Sequence, residues 1–191
     1  MHRCWFLCSL FLVACGGDLT GLQGVYNIDT WTRNDTACGA EGASILETQG
    51  STALYIKAET FITEKFVNVV PCADTADCEE MAGDDTTIYL GNWIFQDGSD
   101  DDGWQSVTYS AFDNFDDDTQ CDGTRREAAM TTPAEGGLRI EARTNETIQF
   151  AKPSGVTNCF LDIDDAELED LVGEQACVRL EVLTATFLSG L

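Results

Sequence analysis

The sequence predicts an all-β protein: an antiparallel up-and-down β-barrel of eight or nine strands with one or two short helices, the alternative being a β-sandwich. Three observations lead there. Apolar and polar residues alternate with period 2 in segment after segment. Glycine, proline and asparagine clusters separate those segments at short intervals. At 191 residues and 43% hydrophobic composition, the chain is long and apolar enough to bury one core.

Strands are expected near 24–32, 53–62, 65–70, 86–95, 104–112, 124–131, 138–144, 147–151 and 176–188. Leu54, Ile56, Ala58 and Ile62 share one face of the second, opposite Tyr55, Lys57 and Glu59. Ile88, Leu90 and Ile94 alternate with Tyr89, Trp93 and Phe95, and Val107, Tyr109 and Ala111 with Ser106, Thr108 and Ser110. Leu138, Ile140 and Ala142 alternate with Arg139, Glu141 and Arg143, and Val178, Leu180 and Val182 with Arg179 and Glu181. One buried and one solvated face marks antiparallel sheet. Asp97-Gly98 and Gly103 bracket one loop, Pro133 and Gly136-Gly137 make another, and Asn145-Glu146 predicts a tight hairpin. Residues 74–82 form a weak helical segment. Residues 164–172 form a better one, with Leu168, Leu171 and Val172 at helical spacing and Gly173 placed to end it.

Met1-His2-Arg3 is cationic and the run from Cys4 to Ala14 is apolar, too short to span a bilayer but suited to a secretory signal. It ends Leu12-Val13-Ala14-Cys15, which resembles the lipobox of bacterial lipoproteins. The resemblance implies that residues 1–14 are a signal peptide, that Cys15 carries the acyl chains (palmitate among them), and that 15–21 is a tether to a single barrel domain over 22–191. It implies a lipid-anchored protein of the bacterial cell envelope, and Gly16 after the cysteine leans toward the outer membrane. An ordinary signal peptide cut nearby is the other reading. Leu22-Gln23-Gly24-Val25-Tyr26 is similar to the Gly-x-Trp start of lipocalins, with Tyr26 where that family has tryptophan.

Cleavage before Cys15 leaves nine basic side chains against 34 acidic ones and removes the only histidine, His2. Such charge repels a phosphate backbone, so no nucleic-acid partner is expected. A mature chain without histidine has no Ser-His-Asp triad, no Cys-His pair and no His-ligated zinc. No Ser or Lys stands in a recognisable nucleophile motif, and no enzyme is expected.

Cleavage would leave six cysteines besides Cys15, an even count in an exported protein, so disulfides are expected. In a strict meander the loops alternate between two ends. That sorting puts Cys38, Cys72, Cys78 and Cys121 at the end away from the chain start, and Cys159 and Cys177 at the near end. Three connectivities survive, all containing Cys159–Cys177. Cys72–Cys78 with Cys38–Cys121 is the favoured completion.

From Phe66 to Thr124 there are 15 acids and no Lys or Arg. The same sorting gathers Asp84, Asp85, Asp113, Asp116, Asp117 and Asp118 at the far end. Loop carboxylates of this kind suit calcium, a hard cation, or simply make a solvated acidic loop. Neither run matches an EF-hand. Trp31, Trp93, Phe95, Trp104 and Phe112 fall out of phase with the aliphatic faces, as a second hydrophobic layer or an outer binding patch. Thr30, Thr60 and Asn92 interrupt the inward faces, which points to a cavity for a small apolar ligand or lipid. The competing reading is an envelope interaction protein acting through its acidic far end, its protein partner unspecified.

Overall fold

The computed structural model describes residues 21–61, 64–83, 93–99, 102–133 and 137–190. In chain order the elements are β1 (Gly24–Asn34), β2 (Ala43–Ser44), α1 (Leu46–Gln49), β3 (Ala53–Phe61), β4 (Glu64–Cys72), α2 (Thr75–Gly83), β5 (Trp93–Phe95) and β6 (Asp97–Ser99). There follow β7 (Gly103–Asp113), β8 (Gln120–Thr131), β9 (Leu138–Asn145), β10 (Ile148–Ala151), α3 (Cys159–Asp162), α4 (Asp165–Val172) and β11 (Cys177–Ser189). The protein is mostly β.

Nine strands form one antiparallel sheet in the order β5-β4-β3-β1-β11-β9-β8-β7-β6. Each is next to its chain neighbour except that β11 returns beside β1, pairing Val25 with Ser189 and Asn34 with Leu180. The two ends of the sheet, β5 and β6, are consecutive in the chain. One pairs with β4 and the other with β7, and Gln96 N donates to Gln105 O across the join. The sheet is therefore nearly closed into an up-and-down barrel. Gly98 on β6 and Gly103 on β7 both hold positive φ, 139° and 86°. A Cβ on Gly98 would run into the Gly103 carbonyl.

Among the described residues the interior holds a packed core. Leu54, Ile56, Val67, Val69, Phe95, Met130, Leu138, Ile140 and Leu183 pack with Trp31, Trp93 and Trp104. This corrects the expected phase of the aromatic residues: Trp31, Trp93, Phe95 and Trp104 point inward, Ile94 is only half-buried and Val107 is 49% exposed. In β1 the cause is a register shift between Ile28 and Thr30. It turns Trp31 into the core and leaves Thr30 outside, bonded to Thr184 at 2.7 Å. Toward the far end the inner face becomes polar, with Thr108 and Ser110 on β7, Thr124 and Arg126 on β8, and the Arg33–Glu181 pair at 3.0 Å. The Arg126 guanidinium stands 5.9 Å from the Trp93 ring.

Asn145-Glu146 is not a hairpin. β10 continues in the direction of β9, pairing Ile148 with Gly123 and Ala151 with Gln120 on the stretch of β8 that β9 does not reach. Glu146 N donates to Ala176 O at 2.7 Å and Asn145 Nδ2 to Gln175 O at 2.8 Å, so the break is bonded to the start of β11. One reversal fewer changes the end at which every later loop lies.

Candidate functional site

The change of end reorders the cysteines. With β9 and β10 running the same way, the connection 152–176 lies at the far end of the barrel, and Cys159 and Cys177 go with it. Cys177 opens β11 beside the end of β1 and bonds to Cys38, Cα atoms 5.8 Å apart. Cys159 opens α3 beside the start of β8 and bonds to Cys121, Cα atoms 5.9 Å apart. Cys72 and Cys78 are joined as expected, at 5.4 Å. The expected pairs Cys159–Cys177 and Cys38–Cys121 are both replaced, because they rested on the hairpin at Asn145. Cys15, Asp84 and Asp85 lie outside the described residues, as does Asn92.

The four remaining aspartates sit at the β7–β8 turn but do not converge. Asp113 Oδ1 accepts from Lys152 Nζ at 2.7 Å and from the Cys159 N–H at 3.3 Å. The Lys152 hydrogen bond first, then that backbone N–H, hold its carboxyl below the usual 3.8 against the opposing pull of desolvation. Asp117 accepts from the Thr119 hydroxyl at 2.6 Å and the Thr119 N–H at 2.9 Å, which likewise lower its pKa, and from Gln120 Nε2 at 2.8 Å. Asn114 Oδ1 accepts from the Asp116 and Asp117 N–H groups, both at 2.9 Å, and its amide donates to Asp122 at 2.8 Å. Asp116 and Asp118 are exposed. Among the described residues no three His, Cys, Asp or Glu side chains come together as metal ligands. The turn is organised by its own hydrogen bonds.

Beside it stands α3, only four residues long, which holds its shape through side chains. Asn158 Oδ1 caps it, accepting from Phe160 N and Leu161 N, both at 3.0 Å. Asp162 accepts from the Thr157 N–H, the Thr157 hydroxyl and the Asn158 N–H, each at 2.8 Å. The backbone bonds of Asn158 and Thr157, in that order, lead in holding its carboxyl below 3.8. α4 covers the outside of β7 and β8. Ile163, Leu168 and Val172 bury against Ala111, Cys121 and Cys159. Gly123 permits this closeness, since a Cβ there would come within 2.7 Å of both Phe150 and Val172.

With the flank so filled, four large apolar side chains around α3 and the β7–β8 turn remain outside. Phe112 is 53% exposed, Phe160 61%, Leu161 74% and Phe115 fully exposed. Phe112 and Phe160 stack at 5.5 Å with 7° between their planes. The sequence offers one signal for this surface, the apolar Phe160-Leu161 pair beside a cysteine and ahead of the helical 164–172 segment. Period-2 reasoning ignores it because it lies in no strand. A hollow of about 580 Å³ lies between β7 and α4, lined by Tyr109, Arg125, Asp165 and Glu169 among others. Arg125 is committed to Glu127 at 2.9 Å and to the Tyr109 ring.

Compared with models of known families, with curated proteins and with solved structures, the chain matches none.

Proposed function

We propose that this chain is an exported, lipid-anchored barrel of a bacterial cell envelope, held to the outer membrane through Cys15, and that it works through its surface and not by carrying a small apolar ligand. The observation that carries the second half is the packed aromatic and aliphatic core that the described residues form inside the barrel. Trp31, Trp93, Phe95, Trp104 and Met130 are each at most 3% exposed. They stand where a barrel that carries a ligand keeps its cavity. Leu12-Val13-Ala14-Cys15 behind a cationic start and an apolar run supports the anchor. The chain enters the barrel at Gly24, at the end opposite Phe112 and Phe160, so a short tether there would leave the Phe112–Phe160 face turned away from the membrane. The abundance of acids suits an exported protein that must stay soluble around such a face.

Two measurements test this. Growth on alkyne-palmitate should label the full-length protein in the membrane fraction, and Cys15→Ala should abolish the label. Native mass spectrometry of the protein released from lipid should give a bare chain lighter by six hydrogens, the signature of three disulfides. A co-purified adduct of lipid size in the folded domain would restore the ligand-carrier reading and remove this one.

A further inference from the structure

We propose that the far end docks a protein partner whose surface combines an apolar pocket with a basic rim. The stacked Phe112–Phe160 pair forms the centre of the face presented to it, with exposed Leu161 next in the chain, exposed Phe115 on the adjoining β7–β8 turn, and aspartates in both segments. This rests on the surface-acting reading above and deepens it.

Three observations carry it. First, the apolar side chains are held out, not merely left out. The Cys121–Cys159 bond, the Asn158 cap and the three bonds to Asp162 fix α3 against the β7–β8 turn while Phe160 and Leu161 project from it. A face fixed before contact loses little conformational entropy on binding, which is how rigid aromatic anchors gain affinity. Second, the face keeps a stacked aromatic pair in water although α4 lies next to it with a buried face of its own.

Third, the surrounding charge selects the partner. Asp113, Asp116, Asp117 and Asp118 follow Phe112, and Asp162, Asp164 and Asp165 follow Leu161. Lys152, the cation beside them, is taken up by Asp113. The bonds that lower the Asp113, Asp117 and Asp162 carboxyls keep this rim ionised well below neutral pH. An anionic lipid surface and a second copy of this acidic chain would both be repelled. A basic protein surface is attracted, and its aliphatic or aromatic pocket supplies the binding energy.

The test selects random dodecapeptides displayed on phage against the full-length protein in neutral detergent, in parallel with its Phe160→Ser and Leu161→Ser variants. Both positions are exposed, and intact disulfide maps and circular dichroism confirm that the variants fold. The expected result is enrichment of peptides pairing Lys or Arg with large apolar residues. The best of them, synthesised, should bind the wild type and lose about tenfold in affinity with either variant, and a similar factor between 50 and 500 mM salt. Selected peptides without basic residues would overturn the proposal, as would binding that ignores both substitutions. So would Phe160-dependent binding to vesicles with anionic lipid, or Phe160-dependent dimers in sedimentation. Failure of peptide selection with a bare, palmitoylated chain sinks this inference alone. A lipid adduct in the barrel sinks the reading beneath it.

Discussion

Each of the two helical flanks of the barrel is closed by a disulfide, and they treat their apolar residues in opposite ways. On one side α2 lies over the outer face of β1, β3 and β4. Cys78 and Cys72 are buried with Val25, Tyr55 and Val70, and Met81 and Ala82 pack against them. On the other side α4 buries Leu168 and Val172, while α3, fixed by the same kind of bond, sends Phe160 and Leu161 into solvent. The bonds differ in span. Cys72–Cys78 closes 6 residues and Cys121–Cys159 closes 38. In the chain-entropy picture they stabilise the fold by about 2 and about 4 kcal/mol respectively. The short bond trims a local turn, whereas the long one brings the end of β7, the start of β8 and α3 together. The flank with the stronger constraint is the one that leaves apolar surface uncovered, as expected where rigidity serves contact with something else.

The largest expected effect separates the two bonds. Cys121→Ala with Cys159→Ala should cost about 4 kcal/mol in urea unfolding, and Cys72→Ala with Cys78→Ala about 2 kcal/mol. Equal costs would break the comparison at its base. Next comes Gly123→Ala. Its Cβ would meet Phe150 and Val172, and overpacking of this kind costs about 1–3 kcal/mol. Hydrogen exchange should show lost protection in α4 and β10 and none in α2. Loss spread over both flanks would mean that they unfold together.

The same residues mark where the sequence was legible. Each predicted strand has an observed counterpart, although of 86–95 only Trp93–Phe95 lies in the described region. Both predicted helices formed, as Thr75–Gly83 and Asp165–Val172. Period 2 is a local property, and β9 obeys it, whereas β1 loses it at its register shift and β11, covered on both faces, buries Leu180 to Leu183 in a row and turns Glu181 inward instead of outward as expected. What it could not fix was phase where both faces are covered. On β5 and β7 one face meets the core and parts of the other meet neighbouring elements, so Ile94 and Val107 were as plausible inside as Trp93 and Trp104. Nor could it fix direction at Asn145. A tight two-residue hairpin needs positive φ at its central residues, a conformation that Glu146, unlike a glycine, adopts only at a cost. β8 is 12 residues long and β9 only 8. A continuing β10 satisfies the uncovered length of β8, a pairing no local pattern reveals. That single reversal misplaced Cys159 and Cys177, and with them the far-end site. The acids were found, but the Phe160-Leu161 face they surround was not.

A smaller effect sharpens the comparison through pH. Asp113 and Asp162 both belong to the α3 flank, and both have folded pKa values below 3.8. A carboxyl whose pKa falls on folding binds fewer protons when folded. Its stabilisation is therefore complete well above pH 3.8 and is lost as pH drops through the folded value. As pH falls below 3.8, amide exchange in residues 157–162 should gain on the intrinsic rate before exchange in the β1–β11 pairing does. Asn158→Ala should mimic this at neutral pH, loosening the same residues at a cost of about 1 kcal/mol. Unchanged exchange at 157–162 in that variant would show that the disulfide alone holds α3.

The smallest effect is the most discriminating. Leu161 is 74% exposed, so Leu161→Ser should change stability by no more than about 0.5 kcal/mol. Met81, half-buried against the α2 cluster, should cost about 1 kcal/mol or more as Met81→Ser. A residue kept only for stability behaves like Met81, because removing it re-exposes what it covers. If Leu161→Ser unfolds in urea like wild type, the apolar surface of α3 contributes little to the fold that presents it. If it costs as much as Met81→Ser, Leu161 is covering part of the α3 flank after all. The two flanks would then differ only in how completely their helices cover them.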